Sequence, residues 1–301
     1  MPFSLESYPF KNGLHPIFQQ NLPEGKLRET LELSFRKRTQ NFDDLTLLGI
    51  VGRSQIGRLR FYNDPSVADN MPLQSVKELI AYNGAEDLLR DLLDRFSSFS
   101  GISGVHPKVL IKDTKPQYIS DNKPRVTVKG STHIVKASNK TEYPHLAENE
   151  FFCMKVAKRA GLDVPNISLS ENNVFLIVER FDLNETSEYI GFEDFCTLSG
   201  LGAKSKHDKS YEYLARQISS YVSPEFRSKS LEVLFRSIAV SSVLRNGDAR
   251  LKNFGVLYES TDMPVQLAST YDIVTTTPYI KSDAFALTME GSKRFPDARN
   301  C

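Results

Sequence analysis

A helix in the last third of the chain is predicted to run without a break into a short polar segment. The helix spans Lys229–Arg245, and the segment after it is Asn246-Gly-Asp-Ala-Arg-Leu-Lys-Asn253. A strand is predicted directly afterwards, over Phe254–Tyr258, and a further acid follows in Tyr271-Asp272. The succession of helix, loop and strand predicts a mixed α+β chain. Because the short loop holds a carboxylate and an amide close together, we expect the chemistry of the chain at this loop.

The spacing within the polar segment is that of a protein-kinase catalytic loop, since Asp248 and Asn253 have four residues between them. In that loop the aspartate accepts the proton of the substrate hydroxyl and the asparagine holds Mg²⁺. Lys252 lies between them, where its ammonium group can neutralise the γ-phosphate. Taken alone, the spacing is equally typical of a polar helix-to-strand loop in which Asp248 is a turn residue.

Asp272 is the second acid, and Tyr271 and two β-branched residues surround it. A carboxylate is a hard oxygen ligand of the kind that Mg²⁺ prefers. By itself Asp272 fits a turn at the end of a strand. Together with Asp248 and Asn253 it is interpreted as the second magnesium ligand.

An apolar strand that ends in lysine, Thr132-His-Ile-Val-Lys136, precedes a predicted helix. Kinases use such a lysine to bind the α- and β-phosphates, and a helix glutamate holds it in place. Glu150 shares a helix face with Leu146 and Met154 at helical spacing, so it is the predicted partner of Lys136. The alternative is an exposed lysine at the end of a strand.

Two further segments belong to the same interpretation. The loop Gly101-Ile-Ser-Gly-Val-His-Pro-Lys108 offers small residues and a lysine that suit phosphate, although it matches neither standard phosphate-loop pattern. Val178-Glu-Arg-Phe181 ends a strand at the point where a kinase hinge offers backbone groups to adenine. By itself each segment is an ordinary loop or strand end.

The whole chain has 301 residues and a net charge of +1, with 40% hydrophobic residues. The length predicts about two domains, and a boundary is placed at Ser97 because the composition becomes small and polar there. The near-zero charge argues against non-specific nucleic-acid binding. No apolar run approaches the ~18 residues of a membrane span. The three cysteines form no disulfide or zinc pattern, so a cytoplasmic protein is expected.

Other predicted elements are needed to place these motifs. A turn at Asn21-Leu-Pro-Glu-Gly25 leads into a helix. The remaining predicted strands are Thr46–Val51, Gln55–Tyr62, Lys108–Asp113, Arg125–Lys129, Thr132–Lys136 and Val174–Phe181, and the remaining predicted helices are Leu73–Tyr82, Glu86–Phe96 and Tyr143–Ala160.

Motifs in this order resemble those of the HipA-like kinases, which are bacterial serine/threonine protein kinases, usually the toxins of toxin–antitoxin modules. The matching segments are Ser103–Lys108, Thr132–Lys136, Glu148–Cys153, Gly161–Pro165, Val178–Asp182, Asp248–Phe254 and Tyr271–Val274. The turn at Asn21–Gly25 and the segment Val51–Arg58 resemble the N-terminal subdomain of the family. The resemblance implies a two-lobed, kinase-like fold with this subdomain at residues 1–96, and a kinase core at 97–301 divided near residue 181.

The resemblance also implies the roles of individual residues. It makes Asp248 the catalytic base and Asn253 and Asp272 the Mg²⁺ ligands, and it places Lys136 on the ATP phosphates and a hinge at Glu179–Phe181. The residues then expected around ATP are Ser103, Gly104, Val105, His106, Pro107, Lys108, Lys136, Glu179, Arg180, Phe181, Arg250, Lys252, Asn253, Tyr271 and Asp272. Autophosphorylation of a loop serine, which expels the loop and inactivates such kinases, is assigned to Ser103.

Some positions depart from the family pattern. Gly101 stands where the family commonly has the first loop serine, and His106 stands where it has glutamine. Ala249 and Arg250 follow the catalytic aspartate in place of Gly-His. The opening strands of the N-terminal subdomain are missing, and unpaired edges and apolar side chains such as Leu5, Tyr8, Phe10 and Ile17 are then expected to need cover. A short separate protein that supplies the strands is the predicted cover, and a self-contained subdomain is the alternative.

The resemblance therefore implies an ATP- and Mg²⁺-dependent serine/threonine protein kinase, a toxin that blocks translation by phosphorylating an aminoacyl-tRNA synthetase. A DNA-binding antitoxin is the implied partner, without direct contact of this chain to nucleic acid or membrane. Three alternatives remain at this stage: a kinase fold that serves mainly as a partner of that antitoxin, a kinase delivered into another cell, and a small-molecule kinase.

Overall fold

The structure is a computed structural model. It describes residues 10–296 except 12, 38, 40, 63, 65–69, 85–87, 115–129, 139–140 and 187. The helices are α1 (Pro16–Gln19), α2 (Gly25–Phe35), α3 (Asp44–Val51), α4 (Val76–Ile80), α5 (Leu88–Phe96), α6 (Leu146–Arg159), α7 (Phe195–Leu198), α8 (Tyr211–Tyr221) and α9 (Pro224–Leu244). The strands are β1 (Leu73–Gln74), β2 (Lys108–Asp113), β3 (His133–Ala137), β4 (Ile167–Leu169), β5 (Phe175–Glu179), β6 (Gly191–Asp194), β7 (Gly255–Tyr258) and β8 (Gln266–Leu267).

A five-stranded sheet with the strand order β1-β2-β3-β5-β4 forms one side of the molecule. The pairs β2–β3, β3–β5 and β4–β5 are antiparallel, and the short edge pair β1–β2 is parallel. In the β2–β3 register Lys108 lies directly opposite Lys136. Directly opposed residues project from the same face of a sheet, so this register brings two lysines to one wall.

The other side of the molecule is mainly helical. Helices α8 and α9 pack together beside the small antiparallel sheet β6-β7-β8. Its core is apolar and fully buried around Phe195, Leu214 and Phe285. Helix α9 ends at Arg245, which adopts the left-handed conformation with φ +55° and stops the helix. The polar loop that follows therefore lies at the boundary between the two halves.

The N-terminal segment packs on the five-stranded sheet and shares its core, in which Leu27, Leu47 and Ile177 are buried together. A buried ion pair fixes this contact. Arg180 bonds to Asp182 and also donates to the Gln55 carbonyl at 2.8 Å. Because a buried charge needs full hydrogen bonding, the two residues hold the N-terminal segment against the end of β5.

The strand predicted over Thr46–Val51 is wrong, because these residues form most of α3. The run of β-branched and apolar residues favours a strand locally. The Asp43 carboxylate instead caps a helix by accepting the Thr46 N–H at 2.8 Å. The helix also buries Leu47 and Leu48 against the core, so packing and capping outweigh local preference.

The strand predicted over Gln55–Tyr62 is also wrong, since the described residues there make only an isolated bridge from Gln55 to Gly101. The edges that these strands were expected to leave unpaired are therefore not formed by residues 46–62. The helix predicted over Leu73–Tyr82 is confirmed only from Val76 onward, because Leu73–Gln74 form β1.

The other helices and strands that were predicted within the described residues are confirmed, and their ends differ from the predicted ends by a few residues. The strand predicted over Arg125–Lys129, the start of the helix predicted at Glu86 and the side chains of Leu5 and Tyr8 lie outside the described residues. Phe10 and Ile17 are half-buried. Among the helices that the structure describes, none combines the length and apolar character that a membrane span requires.

Candidate active site

Lys136 stands at the centre of the cleft between the two halves. Its ammonium lies 2.5 Å from Glu150 Oε1 and 2.6 Å from Asp272 Oδ1, and all three side chains are largely buried. Burial alone would lower the pKa of Lys136, but the two carboxylates raise it above its ordinary value. The expected contact between Lys136 on β3 and Glu150 on α6 is therefore formed. Asp272 is the third member of this charged cluster and connects the two halves of the molecule.

Asp272 is a charged group held in an unusual backbone position. Its φ is +60°, in the left-handed region that is uncommon for residues other than glycine. Burial raises the pKa of its carboxyl, but Lys136 and Lys108 outweigh burial and hold that pKa well below its usual range. The carboxylate therefore stays ionised at any physiological pH.

Asn253 lies beside this carboxylate and donates from Nδ2 to Asp272 Oδ2 at 3.2 Å. Its own Oδ1 is buried and has no hydrogen-bond partner among the described residues. Leaving a buried amide oxygen unpaired is costly. One carboxylate and one unpaired amide oxygen are hard ligands, so the residues present fit a hydrated Mg²⁺.

Asp248 begins the catalytic-type loop, and its conformation is fixed locally. The backbone N–H of Asp248 donates to Asn246 Oδ1 at 3.0 Å. Arg250 donates from Nη1 to Asp248 Oδ1 at 2.5 Å. Burial raises the pKa of Asp248 to about 6, against the lowering effect of Arg250. At neutral pH this carboxylate is mostly ionised and more basic than an ordinary aspartate, as a general base requires.

The loop from Gly101 to Lys108 closes over the cleft. Gly104 has φ +113°, and a Cβ at this position would lie 2.3 Å from Lys108 Nζ. Lys108 is 3% exposed, donates to the Ser103 carbonyl at 3.1 Å, and has no ion-pair partner among the described residues. Burial lowers the pKa of Lys108. A buried cation without an anion is costly, which fits a site that receives phosphate.

A cavity with an empty volume of about 770 Å³, called the nucleotide-sized cavity below, lies behind this loop and has apolar walls around its charged end. Phe181 stacks on Tyr271 with ring centroids 5.1 Å apart. The Tyr271 hydroxyl donates to the Lys252 carbonyl at 2.8 Å. The cavity is lined by both lysines, by Glu150, Arg250, Asn253 and Asp272, and by apolar residues including Ile56, Ile102, Ile134, Val178 and Phe192. The apolar walls suit a flat base, and the charged end suits a polyphosphate.

A second cavity opens on the other side of Asp272 and contains Asp248. Both cavities share Gly104, Lys108, Arg250 and Asp272. The second is also lined by His106, Val105, Tyr143, His207, Tyr279 and Ile280. This cavity leaves open space beside the Asp248 carboxylate.

Not every predicted ATP-site residue has its side chain at this cavity. Glu179 Oε2 accepts from Asn166 Nδ2 at 2.8 Å, and the Arg180 side chain is fully taken up by Asp182 and its neighbours. Phe181 lines the nucleotide-sized cavity, whereas Val105 and His106 line the second one. Pro107, which follows His106, is buried and lines neither cavity. Contact of these residues with ATP stays a prediction.

The N-terminal segment supplies site residues that were not predicted. Gln20, Asn21 and Ile56 line the nucleotide-sized cavity. Asn21 donates to the Ile56 carbonyl at 2.9 Å, and Lys252 donates to the Gln20 carbonyl at 2.9 Å. The only sequence signal was the turn motif that begins at Asn21, and nothing in it indicates a contact across the fold.

The same segment touches the closing loop. Gly25 has φ +52°, and a Cβ there would lie 2.4 Å from the Val105 carbonyl oxygen. Glu24 and Lys206 form an ion pair at 3.1 Å. The start of α2 is therefore held against both the loop and the helical half of the molecule.

The family model of the HipA-like C-terminal domain matches residues 100–300, and that of the HipA N-terminal domain matches residues 1–62. Among curated proteins, the chain is 26% identical to "Putative kinase Y4dM" of Sinorhizobium fredii, over 95% of this chain and 68% of that protein. It is 29% identical to "Putative kinase Y4mE" of the same organism, over 92% and 66%.

A solved structure shares the fold. The Shewanella oneidensis HipA, determined in complex with HipB and its operator DNA, superposes with a TM-score of 0.68 and 19% identity, covering 92% of this chain and 68% of that one. The mixed α+β, kinase-like architecture is thus confirmed. Since the C-terminal family model covers most of the sequence and includes Lys136, Asp248, Asn253 and Asp272, the chain belongs to the HipA-like kinase family.

Proposed function

We propose that the chain is a serine/threonine protein kinase that transfers the γ-phosphate of ATP to a protein hydroxyl with the help of Mg²⁺. The observation that carries the proposal is the meeting of the two cavities at Asp272. One cavity contains the buried ammonium groups of Lys108 and Lys136, and the other contains the Asp248 carboxylate. Phosphoryl transfer needs this arrangement of phosphate binding on one side and a base on the other.

The charged residues of the cleft and Asn253 have distinct roles in this proposal. Lys108 and Lys136 bind the phosphates, and Glu150 holds Lys136 in position. Asn253 and Asp272 would hold Mg²⁺, which when bound neutralises charge on the phosphate oxygens. Asp248 accepts the hydrogen bond of the acceptor hydroxyl and takes up its proton during transfer.

Arg250 is placed to act on both sides of the transfer, because its side chain lines both cavities. Its Nε is buried without a hydrogen-bond partner among the described residues. Its Nη1 donates to Asp248 Oδ1. We infer that the unpaired Nε donor meets a phosphate oxygen, while Lys252 stays bonded to Gln20 and adds positive charge nearby.

Autophosphorylation at Ser103 is part of the proposal and is supported by a comparison of the loop serines. Ser103 is half-buried and lines the nucleotide-sized cavity. Ser100 is fully buried, with its hydroxyl donating to the Phe96 carbonyl at 2.7 Å and accepting the Leu110 N–H at 2.8 Å. Phosphate on Ser103 would add about −1.5 to −2 charge beside the phosphate site, so it should expel the loop and weaken ATP binding.

The biological role proposed here is that of a toxin which phosphorylates an aminoacyl-tRNA synthetase and is restrained by a DNA-binding antitoxin. Family membership supports the role, and the antitoxin is supported by the solved complex of the related HipA with HipB and operator DNA. A short separate protein that completes the N-terminal subdomain remains a proposal. It has lost its original support, because residues 46–62 do not form the strands whose edges it was expected to cover.

The decisive experiment measures phosphate transfer from radiolabelled ATP and identifies the modified proteins after brief expression. Asp248→Asn should abolish transfer while Mg²⁺-dependent ATP binding persists. Asp262→Asn is the matched control, because Asp262 is exposed and lines neither cavity. Transfer that is equal in both variants would rule out Asp248 as the base, and no transfer from the unmodified protein would favour a binding module.

A further inference from the structure

His106 lines the second cavity close to Asp272, which both cavities share, and its ring is available for a ligand. One ligand atom from each of His106, Glu150 and Asp272 lies within 4.8 Å of the others. The ring is tilted against Tyr143 with centroids 5.8 Å apart. Neither ring nitrogen makes a hydrogen bond to another of the described residues. A ring nitrogen thus lies within 4.8 Å of the carboxylate to which the proposed function assigns Mg²⁺.

We propose that His106 joins Asp272 as a metal ligand, so that the nucleotide-loaded site prefers a transition-metal dication such as Mn²⁺ or Co²⁺ over Mg²⁺. The inference rests on the proposed function, since it specifies the metal of the same cleft. Imidazole nitrogen suits transition metals, whereas Mg²⁺ keeps to carboxylate, carbonyl and water oxygen.

The ligand set follows from which atoms are already used. Lys136 occupies Glu150 Oε1 and Asp272 Oδ1, so Glu150 remains with the lysine. Asn253 is 92% buried with an unpaired Oδ1. A rotation of its amide exchanges Nδ2 for Oδ1 beside Asp272, and a cation between the two replaces the hydrogen bond. His106, Asp272 and Asn253 then supply one nitrogen and two oxygen ligands, with phosphate and water completing the shell.

The charges around the ring determine when the metal can enter. The cations around His106 are Lys108, Lys136 and Arg250, and the one carboxylate acting against them is Asp272. The same cations repel a free dication, so the metal is expected to arrive with the nucleotide, whose phosphates neutralise them.

The test is pulsed electron paramagnetic resonance of Mn²⁺ bound together with ADP to the full chain, prepared with and without ¹⁵N-labelled histidine. Phosphorus coupling reports the nucleotide on the metal, and histidine nitrogen coupling reports His106. We expect both couplings, with the nitrogen signal changing with the isotope. His106→Gln should remove it and lower affinity for Mn²⁺ relative to Mg²⁺ by about tenfold or more. His145→Gln, a change at an exposed histidine, should do neither.

The outcomes separate this inference from the function on which it rests. Phosphorus coupling without histidine nitrogen coupling in the labelled unmodified protein would overturn the His106 assignment and leave the kinase proposal intact. Absence of both couplings would overturn the nucleotide–metal site itself. Because the labelled protein is unmodified, the result does not depend on how any variant folds.

Discussion

Removing the Arg250 guanidinium should make Asp248 a stronger base and shift the pH at which it loses its proton. Burial already raises the pKa of Asp248 to about 6, and Arg250 acts in the opposite direction. The substitution is Arg250→Met, which keeps the bulk of the chain and deletes the charge. Since the cation stabilises only the ionised carboxylate, its loss must raise the pKa further.

The magnitude follows from the contact. Arg250 Nη1 lies 2.5 Å from Asp248 Oδ1, and the side chains are 12% and 27% exposed. A hydrogen bond to a charged group contributes about 1.5–3 kcal/mol, and one pKa unit corresponds to about 1.36 kcal/mol. The midpoint should therefore rise from about 6 by about 1 to 2 pH units, which leaves much of Asp248 protonated at neutral pH.

The assay is ¹³C NMR of the aspartate carboxyl groups during a pH titration, with the Asp248 signal assigned by its loss in Asp248→Asn. The acid limb of the pH–rate profile for phosphate transfer should shift together with the midpoint of the NMR titration. Lys252→Met is the matched control, because Lys252 bonds to the Gln20 carbonyl and not to Asp248. An unchanged midpoint in Arg250→Met, or an equal rise in the control, would refute the electrostatic reasoning.

Three further outcomes are expected in nucleotide binding measured by calorimetry. Asp272→Asn should weaken Mg²⁺-dependent ATP binding at least tenfold more than Asp248→Asn does, because only Asp272 is a proposed metal ligand; equal affinities would count against that role. Ser103→Asp should weaken ATP binding through repulsion of phosphate, whereas Ser103→Ala should not, and mass spectrometry should find phosphate on Ser103 in the active protein. Gly104→Ala should lower ATP affinity, because its Cβ would meet Lys108 Nζ at 2.3 Å in a strained backbone; unchanged affinity would show that the loop adapts.

The catalytic-type segment could be predicted because its chemistry is local. Asp248, Asn253 and the strand after them are fixed by neighbours in the sequence, and the pairing of Lys136 with Glu150 follows from helical spacing. The third contact of Lys136, with Asp272, joins residues 136 positions apart. Sequence patterns indicated both residues but not their contact.

Other features could not be predicted because they depend on packing between distant segments. The strand preference of residues 46–51 was overridden by a cap at Asp43 and by burial in a shared core. Arg180 has a hinge-like position in the sequence, yet its side chain forms a buried ion pair that local patterns do not reveal. The contribution of Asn21 to the nucleotide-sized cavity likewise exists only in the folded chain.

The position of residues 20–25 in the cleft makes that segment a ligand of the kinase core in the thermodynamic sense. Gln20 accepts a hydrogen bond from Lys252, and Gly25 lies against the carbonyl of Val105 in the closing loop. Linkage then requires reciprocity between the segment and the nucleotide. A protein that draws residues 20–25 away from the cleft lowers the affinity for nucleotide by some factor, and bound nucleotide lowers the affinity for that protein by the same factor.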